Sequence, residues 1–213
     1  LRLEVLDLFL VHWPLADSAG IDLVDTWRTM IDILESGRVR AIGVSNFQAE
    51  HLHTIIKATG VTPAVNQIES HPRFPNTGLI AYDAERGIAT EAWSPLGRDS
   101  NLLAEAVIVD VAAAHAITAA QAVLAWHVAR GVTPIPKSAS PHRQAENLAS
   151  QAVLLSPAEV GAITSLGRPD GRLAGQDPHR LPVQQEPGPI AFRKRLPPGH
   201  DGRHQRLARG PGL

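Results

Sequence analysis

The sequence predicts an α/β fold with a parallel β-sheet, arranged as part of a (β/α)8 barrel. Short apolar runs without apolar/polar alternation are followed by segments of helical periodicity, five times over, as in parallel strands covered on both faces. Polar residues follow the strands at their carboxyl ends, where such a barrel holds its active site. A doubly wound sheet is the alternative, but no Gly-x-Gly-x-x-Gly turn follows a strand. Five units are present, and a closed barrel needs eight.

The individual elements follow from local patterns. The predicted strands are Val5–Val11, Val39–Val44, Ala64–Ile68, Ile88–Trp93 and Val132–Ile135. Helical patterns run through residues 21–37, 48–60, 78–87, 118–131 and 156–167, several of them ending at a glycine. The expected helix N-caps are Ser45 with Gln48, Thr118 with Gln121, Ser140 before Pro141, and Ser156 with Glu159.

Composition narrows the class of protein. The net charge of −1 and the isoelectric point near 6.9 give no electrostatic case for nucleic acid or an anionic membrane. There is no cysteine, no apolar run long enough to span a bilayer and no signal peptide at the start of the sequence, which predicts a cytoplasmic location. Residues 177–213 are rich in Pro, Gly and Arg and predict a disordered tail after a folded region, residues 1–176.

Six motifs then carry a resemblance. In order they are DLFLVHWP, GRVRAIGVSNF, AVNQIESHP, EAWSPLG, IPKS and R-x-x-EN. Together they resemble the aldo-keto reductases, most of all the bacterial 2,5-diketo-gluconate reductase type, which shares the tryptophan before Ser94. The resemblance implies strands four to eight of the family's barrel, so that three units of roughly 95 residues would precede Leu1.

The same resemblance implies a site at the strand ends. His12 would be the catalytic residue that donates a hydrogen bond to the substrate carbonyl and orients it. Ser45, Asn46 and Gln67 would hold the carboxamide of nicotinamide, and Trp93 would stack on its ring. The loop containing Ser94 and Leu96 would cover the pyrophosphate.

A second group of residues follows the last strand. Ser140 and Pro141 begin a helix between Lys137 and Arg143, and a helix N-terminus flanked by two cations predicts an anion site. The resemblance makes this the site of the 2′-phosphate and adenine of NADPH, with NADP(H) favoured over NAD(H). The cofactor-binding residues implied here are Ile135, Lys137, Ser138, Ala139, Arg143, Glu146 and Asn147.

Other interpretations of these residues are weaker or stay open. Taken alone, His12 and Trp93 fit structural roles at strand ends, and Ser45 fits a helix cap. A metal site at Glu69 and His71 lacks the further ligands that such a centre needs. The family's proton donor is a tyrosine assisted by a lysine and an aspartate, and no position here matches them. Tyr82 and Lys57 lie on predicted helices outside the barrel.

The sequence therefore predicts an NADP(H)-dependent oxidoreductase that reduces aldehydes or ketones by hydride transfer and is incomplete at its N-terminus. Its partner would be a small carbonyl substrate, and the family implies a monomer. The alternative is a catalytically inactive NADP(H)-binding fragment.

Overall fold

Five parallel strands form one sheet in sequence order, β1-β2-β3-β4-β5, and confirm the predicted α/β class with a parallel sheet. The computed structural model describes residues 3–14, 22–98 and 101–173, all within the first of the chain's two units, residues 1–182. The predicted disordered tail, residues 177–213, lies outside the described residues.

The elements have these bounds. The strands are β1 (Leu6–Val11), β2 (Val39–Ser45), β3 (Val65–Glu69), β4 (Ala89–Trp93) and β5 (Val132–Ile135). The helices are α1 (Leu23–Glu35), α2 (Ala49–Thr59), α3 (Thr77–Glu85), α4 (Ala106–Ala114), α5 (Ala119–Ala129), α6 (Pro141–Ala149) and α7 (Pro157–Thr164), with short 3-10 turns at Asn101–Ala104 and Ser150–Ala152. Helix α4 was not predicted, because its residues are almost all apolar and show no polar face.

Two apolar cores hold the helices in place. The first joins the helix-covered side of the sheet to α1, α2 and α3, and its buried members include Trp27, Ile42, Val44, Leu52 and Ile55. The second lies among α4, α5 and α7, where the Trp126 indole is fully buried and donates to Thr164 Oγ1 at 2.9 Å. In the described part of the chain no single helix is long and apolar enough to cross a membrane, and α4 and α5 pass that test only together, across a bend of 89°.

The side of the sheet away from the helices is tightly packed at Gly43. A Cβ there would lie 2.7 Å from Leu10 Cδ2 and 2.7 Å from the carbonyl oxygen of Val65. Glycine at this position therefore lets the neighbouring strands β1 and β3 approach β2 closely.

Three of the four predicted caps are present. Thr118 and Ser156 form capping boxes with Gln121 and Glu159, and the Ser140 hydroxyl accepts the backbone N–H of Arg143. The cap predicted at Ser45 is wrong. Strand β2 runs through Ser45, and Gln48 is the N-cap of α2, its backbone N–H donating to His51 Nδ1 at 3.1 Å.

A sealed polar cluster lies between α3 and the sheet. Asp83 is 0 % exposed and accepts hydrogen bonds from Asn66 Nδ2, at 3.3 and 3.2 Å, and from Thr90 Oγ1, at 3.1 Å. Burial raises the pKa of Asp83 to about 7, although both hydrogen bonds and nearby Arg86 act in the opposite direction. The carbonyl oxygen of the Asn66 side chain is buried and has no hydrogen-bond partner among the described residues.

Candidate active site

A cavity of about 220 Å³ lies at the carboxyl ends of β1 to β4. Six of the residues that line it are ones that the sequence singled out: His12, Ser45, Asn46, Gln67, Trp93 and Ser94. Among the described residues, Trp13 and Arg98 also line it. The polar residues that follow successive strands therefore converge on one rim.

The strand register explains this convergence. Ser45 is aligned with Gln67, and Gln67 with Glu91 on the next strand. His12 follows Val11, whose partner Val44 precedes Ser45. Because all the strands are parallel, their carboxyl ends meet at one edge, and residues at the same level share one face of the sheet.

Asn46 is the centre of the cavity's hydrogen-bond network. Its Nδ2 donates to the backbone carbonyl of His12 at 3.0 Å and to Ser45 Oγ at 3.1 Å. Its Oδ1 accepts the Trp93 indole N–H at 2.7 Å. The residue is 4 % exposed and has a left-handed backbone, with φ 64°, so that its amide turns back toward the strands. Asn46 thus fixes both the end of β1 and the plane of the Trp93 ring.

Ser45 and Gln67 also make hydrogen bonds within the protein. Ser45 Oγ donates to the backbone carbonyl of Gln67 at 2.8 Å. Gln67 Nε2 donates to Glu91 Oε2 at 2.8 Å, which orients the side-chain amide. Gln67 Oε1 accepts no hydrogen bond from a described residue, so a ligand could donate a hydrogen bond to it.

His12 differs from these neighbours because it is exposed. Its ring lies 6.0 Å from that of Trp13 and makes no hydrogen bond with a described residue. An exposed imidazole at a cavity mouth can donate an N–H to a carbonyl oxygen.

A strained turn after β4 forms one wall of the cavity. Ser94 and Arg98 have positive φ angles, 49° and 53°, and the backbone N–H of Gly97 donates to the carbonyl of Ser94 at 2.9 Å. Arg98 Nε donates to Ser94 Oγ at 3.0 Å. The Leu96 side chain packs against the second core rather than into the cavity.

The seven cofactor-binding residues predicted at the end of β5 and beyond it do not line this cavity. Lys137 and Arg143 are exposed, and neither forms an ion pair with a described residue. Ser138 Oγ accepts the backbone N–H of Ser140 at 3.1 Å and shapes the turn into α6, with Ala139 exposed between them. Ile135, the last residue of β5, is 42 % exposed. The arrangement presents two cations at the start of a helix.

Glu146 and Asn147, predicted to reach adenine, lie further along α6. The Glu146 carboxylate is 3.3 Å from His142 Nδ1. Asn147 lines a larger cavity, about 600 Å³, beside β5 and α5, together with Val132, Pro134 and Leu148. The structure therefore separates Asn147 from the cavity that contains His12.

The residues that the sequence did not favour as proton donors or metal ligands lie outside the cavity that His12 lines. Tyr82 packs against the first core from α3 with its hydroxyl buried, and Lys57 is exposed in the last turn of α2. Glu69 and His71 are buried together, 3.2 Å apart, and Glu69 Oε1 also accepts the backbone N–H of Leu173 at 2.6 Å. Across residues 3–14, 22–98 and 101–173, no three His, Asp or Glu side chains are grouped to hold a metal ion.

Comparison with known proteins fits this geometry. Residues 1–168 match the sequence profile of the Aldo/keto reductase family. The chain belongs to the aldo/keto reductase family. The resemblance predicted from the motifs is thus confirmed at the level of the family.

Individual aldo/keto reductases match over most of this chain. A 2,5-diketo-D-gluconic acid reductase B from Corynebacterium sp. (strain SHS752001) is 53% identical over 178 residues, which is 84% of this chain and 63% of that protein. A methylglyoxal reductase from Salmonella typhimurium is 43% identical over 183 residues, 85% of this chain and 65% of that protein. A variant of Gox0644, crystallised with NADPH, aligns with a TM-score of 0.78 and 42% identity, over 84% of this chain and 65% of that one.

The chain thus spans less than two thirds of the length of these curated aldo/keto reductases.

The motifs had pointed to His12, Asn46 and Trp93 but not to Arg98 and Glu91. Arg98 could have been found as the cation directly after the glycine turn that follows Ser94. Glu91 gave no local signal, because only the register places it beside Gln67.

Proposed function

We propose that this chain is part of an NADP(H)-dependent reductase that converts aldehydes or ketones to alcohols by hydride transfer. Its strands β1–β5 would correspond to strands four to eight of the family's barrel, with a small carbonyl compound as substrate. We further propose that the protein is cytoplasmic and monomeric. The observation that carries it is the convergence of His12, Gln67 and Trp93 on one cavity at the strand ends.

The residues present fit a phosphorylated nicotinamide dinucleotide. The half-buried Trp93 indole, held by Asn46, suits a flat ring, and Gln67 Oε1 is an acceptor for an amide N–H. The exposed cations Lys137 and Arg143 suit a phosphate. When bound, NADPH would supply the hydride.

Within the cavity His12 is proposed to donate a hydrogen bond to the substrate carbonyl oxygen. Its ring makes no hydrogen bond with a described residue, so no hydrogen bond to that part of the chain has to break first. The bond orients the carbonyl and stabilises the negative charge that develops on its oxygen. The described lining contains no tyrosine or lysine, so we assign no proton donor.

That same lining favours a second candidate, a chain that binds NADP(H) without reducing a carbonyl. Two measurements on the purified chain separate the candidates: a fluorescence titration with NADPH, and the loss of NADPH absorbance with an aldehyde. Binding with turnover supports the reductase. Binding without turnover supports the second candidate, and no binding overturns both.

A matched pair of variants tests the role of His12. We expect His12→Phe to lower turnover by about 10²-fold while NADPH binding is retained, because only the contact to the carbonyl is lost. His53→Phe, at an exposed histidine of α2, is the control and should leave both unchanged. Where the original chain shows turnover, equal turnover in the two variants would contradict the proposed role.

A further inference from the structure

Glu91 is an acidic residue of β4 that does not itself line the cavity. Its carboxylate accepts a hydrogen bond from Gln67 Nε2 at 2.8 Å, and the two residues are aligned in the strand register. Among the described residues this is the only hydrogen bond of the Glu91 side chain, and Glu91 forms no ion pair with any of them. Any influence of Glu91 on the cavity therefore passes through Gln67.

The backbone of Gln67 is held in place as well. Its carbonyl accepts the Ser45 hydroxyl at 2.8 Å and the backbone N–H of Asn46 at 2.9 Å. The backbone carbonyl and Nε2 are both engaged, whereas Oε1 accepts no hydrogen bond from a described residue. Because Gln67 lines the cavity, Oε1 is the atom of this side chain that is left for a ligand.

A carboxylate decides which end of the Gln67 amide turns toward it. The two ends of a side-chain amide have almost the same shape, but the oxygen only accepts hydrogen bonds and the nitrogen only donates them. A carboxylate only accepts, so turning the amide over would bring Gln67 Oε1 against an oxygen of Glu91 with no hydrogen between them. Glu91 thus keeps Nε2 on its own side and leaves Oε1 as the free end.

We propose that Glu91 is a positioning residue that acts through Gln67. By holding Nε2, it makes the cavity present an acceptor, which selects a ligand group with an N–H over a similar group that can only accept. The inference deepens the proposed function and rests on it for the ligand, because the carboxamide of nicotinamide carries such an N–H. The hydrogen bond would fix the rotation of the carboxamide and with it the orientation of the ring.

Three oxidised dinucleotides that differ in one group test this selection on the full 213-residue chain. They are NADP⁺, its thionicotinamide analogue, which keeps the N–H, and its 3-acetylpyridine analogue, which has a carbonyl but no N–H. Binding is followed by tryptophan fluorescence, to which Trp93 at the cavity contributes. Glu91→Gln can turn either end of its amide toward Gln67, and Glu91→Met removes the acceptor at similar volume. Glu35→Gln, at an exposed glutamate of α1, is the matched control.

We expect the original chain and Glu35→Gln to bind NADP⁺ and the thionicotinamide analogue about tenfold more tightly than the acetyl analogue, because the acetyl group leaves Gln67 Oε1 facing a second acceptor. This preference should fall in Glu91→Gln and be nearly lost in Glu91→Met, chiefly because the acetyl analogue binds better once the Gln67 amide can turn over. A purely structural role would weaken all three probes alike and leave the preference unchanged.

Two further measurements show whether Glu91 acts through Gln67. Gln67→Met should lose the preference by itself, and adding Glu91→Met should change it no further. The side-chain amide signal of Gln67 in heteronuclear NMR, identified by its loss in Gln67→Met, reports on the contact without any ligand. Its hydrogen exchange with solvent should be slow in the original chain and in Glu35→Gln, and faster in Glu91→Met.

The positioning role is overturned by an equal preference in the original chain and Glu91→Met, by an amide signal that Glu91→Met leaves unchanged, or by a further loss in the double variant. Binding of none of the three probes overturns both this role and the proposed function. A chain that prefers the N–H probes through Glu91 but oxidises no NADPH with an aldehyde keeps the positioning role and refutes the reductase. A chain that oxidises NADPH with an aldehyde, and has the same preference in Glu91→Met, does the reverse.

Discussion

Adjacent residues of strands β3 and β4 face two different environments. Asn66 and Thr90 lie on the helix-covered side of the sheet, with 0 % and 3 % of their surface exposed, and both donate to Asp83. Gln67 and Glu91, the next residue on each strand, pair on the opposite side and are only half-buried. The alternation of a strand thus sends one polar pair into a sealed layer and the other to the cavity.

The difference lies in what can satisfy each polar group. In the sealed cluster, Asn66 Oδ1 has no hydrogen-bond partner in the described part of the chain, and burial favours the neutral form of Asp83. On the cavity side, water or a ligand can complete what the protein leaves open. Substitutions in the sealed cluster should therefore change folding stability, and substitutions on the cavity side should change binding.

Asp83 offers the largest test of this contrast. Its pKa is about 3.8 unfolded and about 7 folded, so the stability it contributes is complete below pH 3.8 and is lost as the pH rises through 7. The full loss corresponds to about 4 kcal/mol of the free energy of unfolding, as an upper value. Asp83→Asn, which cannot ionise, should lack this loss.

Urea unfolding between pH 4 and pH 8 measures the effect as the difference between the original chain and Asp83→Asn. The variant should be the more stable of the two at pH 8, with the advantage shrinking toward pH 4. The exposed Asp25, on α1, gives a control in Asp25→Asn. A pH-independent difference between the original chain and Asp83→Asn would show that Asp83 stays ionised in the folded state.

Asn46 is an exception to this contrast, because it lines the cavity and is nevertheless buried. We expect Asn46→Ala to lower the free energy of unfolding by about 3 kcal/mol, since three hydrogen bonds are lost and alanine is disfavoured at φ 64°. Urea denaturation measures this loss.

Asn46→Gly separates the two contributions. Glycine adopts the left-handed backbone without steric cost, so this variant should lose about 1 kcal/mol less than Asn46→Ala and report the side-chain amide alone. Equal stability of Asn46→Gly and the original chain would mean that the amide network adds nothing to folding, and Asn46 would then return to a purely ligand-binding role.

Local sequence patterns predicted the sheet well. Continuous apolar runs marked all five strands to within one residue at each end, and the parallel arrangement let His12, Gln67 and Trp93 be placed on one rim. What could not be predicted depends on distant partners. Asp83 gives no sign in its helix that it meets Asn66 and Thr90, and the network of Asn46 joins residues up to 47 positions apart.

The cap predicted at Ser45 is wrong for the same reason, because the local pattern does not show the distant partner of this side chain. Its spacing to Gln48 fits a capping box, but the backbone beyond it first passes through the left-handed Asn46, and the helix begins only at Ala49. The hydroxyl of Ser45 is then used across the sheet, by the carbonyl of Gln67. A capping pattern next to a strand end is therefore ambiguous, because strand pairing and capping compete for the same side chain.

The smallest expected effect is at the two cations after β5, and it isolates binding from folding. Lys137 and Arg143 are exposed and form no ion pair with a described residue, so Lys137→Gln and Arg143→Gln should unfold in urea as the original chain does. Each should weaken NADPH binding about tenfold and leave NADH binding unaltered, since only NADPH carries a 2′-phosphate. Lys57→Gln, at an exposed lysine of α2, controls for the loss of a positive charge. Equal weakening of NADPH and NADH would mean that these cations act on the dinucleotide through general electrostatics, and the preference for NADP(H) would then have to come from other residues.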